Sequence, residues 1–66
     1  MATEIDPAPL IRRRMEKGLA QVDVARALHL SPMTIHRIEA GESQGIRAIK
    51  RYADYLGIRM GRILKS

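Results

Sequence analysis

The chain has no cysteine, no phenylalanine and no tryptophan, and only two tyrosines. Without cysteine there is neither a disulfide framework nor a thiolate zinc site to staple so small a fold, which is therefore suited to a reducing compartment. With so few aromatics, stacking platforms for single strands or unpaired bases are nearly absent, so among nucleic acids duplex is favoured. The longest apolar runs are a few residues, far short of a membrane span, and the acidic start "MATEID" lacks the basic and apolar regions of a signal peptide. A cytoplasmic protein with no membrane partner is expected. Paired carboxylates at productive spacing, a glycine-rich phosphate loop and a nucleophile-base-orienter set are all missing, which argues against an enzyme and against a cofactor. A metal role for His29 with His36 is unattractive, because the pair spans a turn with no third ligand placed nearby.

What is present is length for one domain and an excess of positive charge. The 66 residues allow a single thin core, for which a partner subunit would help. Twelve Lys and Arg stand against seven Asp and Glu, giving +5, and nine of the twelve are Arg. Arginine presents planar, bidentate donors suited to phosphate and to guanine edges. The balance points to a polyanion, although basic charge on a small protein also serves solubility.

Residues 1–6 read as a flexible arm and 7–66 as the folded domain. In "DPAPLIRRRMEKG", Asp6 serves as N-cap, Pro7 and Pro9 fit the first turn, Leu10, Ile11 and Met15 are apolar, and Gly18 stops a helix over about 7–17. Val24, Ala25 and Leu28 form a helical stripe over about 21–28, ending at His29, which must take the left-handed conformation if the turn needs one. A third helix starts with Ser31 as N-cap and Pro32 at its first position and stops at Gly41. Ile46, Ile49, Ala53 and Leu56 share a face of a fourth helix over about 46–56, with Tyr52 beside them and Gly57 as the stop. In the tail, Met60, Ile63 and Leu64 fall at helical spacing and favour a short fifth helix. A strand made of "IRMGRIL" is the alternative, and Gly61 weakens both. The fold class is all-α, a compact bundle of about five short helices.

On the third helix Ile35 and Ile38 point one way with Thr34 at their flank, and Met33, His36, Arg37 and Ala40 point the other. The first face is core. The second reaches far in its first two turns and ends in a small residue, a shape suited to inserting a helix N-terminus into a groove.

The segment "QVDVARALHLSPMTIHRIEAG" resembles the helix-turn-helix of the lambda-repressor and Cro-like family of DNA-binding domains, and the likeness extends over roughly residues 9–64. It rests on Gln21 opening helix two, Ala25 in the small-residue position, apolar Val24, Leu30, Ile35 and Ile38, and the ending "RIEAG". Two residues depart from the pattern. Ala20 stands where the family usually has Ser or Thr, losing a cap of ~1 kcal/mol, and His29 stands where it has Gly, adding strain of about the same order.

The resemblance implies that Pro32, Met33, His36 and Arg37 face base edges in the major groove. Arg37 would donate two bonds to guanine, with a solvated or phosphate-bound side chain as the plainer alternative, while Pro32 and Met33 would read by apolar contact, as with a thymine methyl. His36 would add a contact that strengthens toward pH 6, or be an ordinary exposed polar residue. Phosphate contacts are implied for Gln21, Ser43, Gln44 and Arg47, with Thr34 joining them; loop polarity alone explains Ser43 and Gln44 equally simply. Arg14 and Glu39 match a structural ion pair linking helices one and three. Ala48, Met60, Arg62, Ile63 and Leu64 match the family's subunit contact.

These implications define a dimeric regulator of transcription, a repressor reading a palindromic operator and acting on its own promoter, of prokaryotic or phage origin and with no room for an inducer-binding domain. The rival readings are an antitoxin or operon partner that also binds a second protein, such as a cognate toxin, and a protein-binding module on the same fold.

Overall fold

The structure, a computed structural model, describes residues 4–42 and 45–65. In chain order these form β1 (Glu4–Ile5), α1 (Ala8–Glu16), α2 (Gln21–Leu28), α3 (Pro32–Glu39), α4 (Ile46–Leu56), a 3-10 turn (Met60–Arg62) and β2 (Leu64–Lys65). Four α-helices therefore stand where five were expected. The tail makes one turn, closed by the Arg62 N–H on the Arg59 carbonyl and the Ile63 N–H on the Met60 carbonyl, and then runs antiparallel to β1, with Glu4 opposite Lys65 and Ile5 opposite Leu64. Gly61 disfavours helix by about 1 kcal/mol, and the residues after the turn find backbone partners in the N-terminal segment, where the Asp6 N–H donates to the Ile63 carbonyl at 2.7 Å. Thus the described part of the expected arm, Glu4 to Asp6, is hydrogen-bonded to the tail.

The α1 helix begins one residue later than the sequence suggests, with Pro7 at its boundary. The Asp6 carboxylate accepts the Ala8 N–H at 3.1 Å, so it still satisfies an orphan donor of the first turn. The core consists of Leu10, Val24, Ala25, Leu28, Ile35, Ile38, Ile49, Tyr52, Ala53, Leu56, Ile58 and Ile63, with Ile5, Leu19, Leu30, Ala48 and Met60 packed at its margin. Ile46, expected on the inward face of α4, is exposed, because it is the first residue at the open end of its helix. Met15 is also exposed: it lies five residues after Leu10 and so falls off its stripe.

Each helix ends in the same device. A residue two or three positions past the helix donates its N–H to the carbonyl five back, and the residue before it to the carbonyl three back: Leu19 to Arg14 with Gly18 to Met15, Leu30 to Ala25 with His29 to Arg26, Glu42 to Arg37 with Gly41 to Ile38, and Ile58 to Ala53 with Gly57 to Asp54. This Schellman arrangement needs a left-handed residue. Glycine supplies it three times and His29, at φ 57°, the fourth. In three of the four cases the residue after the turn, Leu19, Leu30 or Ile58, carries its apolar side chain back onto the core. Helix termination and core packing are thereby one interaction, and α2 is held against α3 across the short turn His29–Ser31.

Candidate nucleic-acid interface

The start of α3 is fixed by Ser31, whose hydroxyl oxygen accepts the Thr34 N–H at 3.1 Å, and by Pro32 at the first helical position. The Thr34 hydroxyl is itself 2.9 Å from that of Ser31, so this expected phosphate ligand is already engaged in the cap. Behind them Ile35 and Ile38 are buried. Pro32, Met33, His36 and Arg37 are all exposed, Met33 by 55%, and the Arg37 side chain has no hydrogen bond or ion pair among the described residues. The fold thus presents four side chains of one short helix to solvent, on a backbone held by its core face.

The far end of α3 carries the main polar feature of the protein. Glu39 has a side chain only 6% exposed, and it accepts four hydrogen bonds. Arg14 of α1 donates Nε to Oε2 at 2.7 Å and Nη2 to Oε1 at 3.0 Å. Gln21 of α2 donates Nε2 to Oε1 at 3.0 Å, and the Tyr52 hydroxyl of α4 donates to Oε2. The remaining Arg14 nitrogen, Nη1, donates to the Leu19 carbonyl at 2.7 Å. A single carboxylate therefore ties all four helices together, and its lone pairs are filled as a buried charge requires. Burial pushes the Glu39 carboxyl up, but the hydrogen bonds from Arg14, Tyr52 and Gln21 outweigh it and hold the group below the usual carboxylate range. The hydrogen bond to Glu39 raises Arg14, and burial followed by the same carboxylate raises the Tyr52 phenol.

At the head of α2, Ala20 offers no capping side chain. The Asp23 carboxylate accepts the Ala20 N–H at 2.7 Å, half of a capping box, while the first N–H groups of the helix, those of Gln21 and Val22, have no acceptor within it. Gln21 is half-buried, one amide hydrogen committed to Glu39, and stands beside those groups. Arg47 is exposed in the first turn of α4. Ser43 and Gln44, the other expected phosphate ligands, lie outside the described residues.

Of the residues expected at a subunit contact, Leu64 is exposed and Ala48 and Met60 are half-buried against the core. Ile63 is 0% exposed and has no surface to offer a partner: the 3-10 turn rotates it into its own core, where a continuous helix was expected to place it differently. Arg62 lines a cleft against α1.

Two side chains do more than their sequence pattern indicates. Tyr52 lies in the core, as its position beside the α4 stripe implies, and its hydroxyl bonds Glu39, for which the sequence signal is only that a buried tyrosine needs a partner. Arg51 donates Nη2 to the Leu28 carbonyl at the end of α2, a cation set against a helix C-terminus, and nothing in its local pattern marks it out from a solvated arginine. Among the described residues no cluster of His, Cys, Asp or Glu could hold a metal ion, and no helix is long and apolar enough to cross a membrane.

No curated protein and no solved structure matches the chain at a significant level. A family model described as helix-turn-helix does, over residues 10–63, which runs from the first core residue of α1 to the buried Ile63 and takes in every helix. The chain belongs to the lambda-repressor-like helix-turn-helix family of DNA-binding regulatory domains.

Proposed function

We propose that this chain is a cytoplasmic, sequence-specific duplex-DNA-binding regulator that lays α3 in the major groove as one half of a homodimer and represses transcription from a palindromic operator, its own promoter included. The observation that carries this reading is the exposed row Pro32, Met33, His36 and Arg37 on a helix whose other face is sealed in the core. Arg37 reads a guanine through O6 and N7, and Met33 and Pro32 meet a neighbouring base by apolar contact. The N–H groups at the head of α2, with Gln21 beside them and Arg47 on α4, hold the DNA backbone and fix the register of α3.

A single helix of this length covers few base pairs, so two copies spaced one DNA turn apart multiply both affinity and specificity. The subunit contact we assign to the tail side of the domain, where Leu64 is exposed and Met60 and Ala48 lie at the core margin.

Selection of bound sequences from random duplex DNA with the purified protein, at near-physiological salt, tests the reading. It predicts a two-fold symmetric motif with half-sites about one helical turn apart, each containing a guanine. Enrichment of no motif contradicts it.

A further inference from the structure

On α1, Pro9, Arg12, Arg13 and Glu16 recur at i, i+3, i+4 and i+7 and so form one stripe. Leu10 and Arg14, which face the core and Glu39, lie on the other side of the same helix. The stripe is met by Ile58 and Arg62 from the tail, and together these six residues line a cleft of about 170 Å³. None of them belongs to the α3 face or to the network at Glu39.

The cleft is positively charged and incompletely paired. It holds three guanidinium groups and one carboxylate, and Arg13 takes that carboxylate, its Nε 3.6 Å from Glu16 Oε1. Arg12 and Arg62 are exposed, and their side chains have no hydrogen bond or ion pair among the described residues. Two unpartnered planar forks facing one cavity suit an incoming carboxylate or phosphate. The remaining lining decides between them. Pro9, half-buried beside the buried Ile58, contributes the apolar surface, which rewards a side chain that a phosphodiester backbone lacks. Glu16 repels a uniformly negative strand but leaves room for an isolated acidic side chain.

We infer that the cleft between α1 and the tail is a docking site for an acidic peptide segment of a partner protein, in which carboxylates engage Arg12 and Arg62 while an adjacent apolar side chain covers Pro9. The domain thereby has a protein-facing surface separate from its α3 face. The pairing is electrostatic and its strength falls with salt.

A displayed random heptapeptide library, panned on the full chain at about 0.15 M salt with excess duplex DNA present, tests this. The expected enrichment is of peptides carrying at least two Asp or Glu next to an apolar residue. Binding of the enriched peptide, synthesised with a fluorescent label and followed by anisotropy, falls at least tenfold in the double variant Arg12→Glu/Arg62→Glu. It changes less than threefold in Lys17→Glu/Arg26→Glu, which alters net charge equally at exposed positions elsewhere. Thermal unfolding of each variant identifies loss of fold, and should the glutamate pair unfold the protein, Arg12→Gln/Arg62→Gln serves instead. Enrichment of no acidic peptide, equal loss in both double variants, or displacement of the peptide by duplex DNA in proportion to DNA bound at Arg12 and Arg62 overturns the proposal, the last by making nucleic-acid phosphate the occupant.

Discussion

Arg14 on α1 and Glu39 on α3 meet through two hydrogen bonds, 2.7 and 3.0 Å long, across 25 positions of sequence. The contact places a fully bonded charge pair where four helices converge, with Gln21 and Tyr52 on the same carboxylate. The last residue of α3 is thus held from three sides, which sets the orientation of the helix that presents Arg37.

Removing the carboxylate leaves Arg14 buried without its charge partner. Glu39→Ala is expected to cost about 3 to 5 kcal/mol, a large share of the stability of a domain this small, and to lower the midpoint of urea unfolding accordingly. Tyr52→Phe, which removes one of four bonds and keeps the ring in the core, is expected to cost about 1 kcal/mol.

The same network sets the acid limit of the fold. Because the folded-state value of Glu39 lies below the ordinary 4.5, the unfolded chain binds this proton more readily, and the stability it contributes is complete above about pH 4.5 and lost as pH falls through the lowered value. Tyr52 acts with the opposite sign: its raised phenol contributes below its ordinary 10 and loses that contribution as pH rises through the folded value. Unfolding free energies measured from pH 3 to 7 are expected to show a weaker acid dependence in Glu39→Gln than in the parent chain.

His29 occupies the left-handed position that glycine fills at the ends of the other three helices. His29→Gly is expected to stabilise the domain by about 1 kcal/mol through relief of that conformation, less the added freedom of glycine in the unfolded chain. A rise in the thermal midpoint of about 4–8 °C checks it. His29 is exposed, its side chain has no hydrogen bond or ion pair among the described residues, and it lies outside the α3 row, so binding to DNA is expected to be unchanged.

Much of this fold was legible in the sequence because its signals are local. The stops at Gly18, Gly41 and Gly57, the cap at Ser31 with Pro32 after it, and the stripes Val24, Ala25, Leu28 and Ile35, Ile38 fix where the four helices lie and which faces they bury. The tail was not legible, since a turn followed by two paired residues depends on β1, some sixty positions away in sequence, and Gly61 disfavours both a helix and a strand. Ile46 shares the phase of Ile49, Ala53 and Leu56 yet is exposed, because it opens its helix. At the site, the outward face of α3 follows from periodicity alone, whereas the convergence of Gln21 and Tyr52 on Glu39 depends on how the helices cross, which no spacing within one helix records.

Everything proposed for α3 turns on whether Arg37 reads a base. The most direct test is the affinity of the parent chain and of Arg37→Ala for a selected duplex and for a scrambled duplex of equal length, at about 0.15 M salt. Arg37→Ala is expected to lose about 1 to 3 kcal/mol on the selected duplex, roughly five- to 150-fold, with far less change on the scrambled one and no change in thermal stability. Equal loss on both duplexes, or none on either, would contradict it.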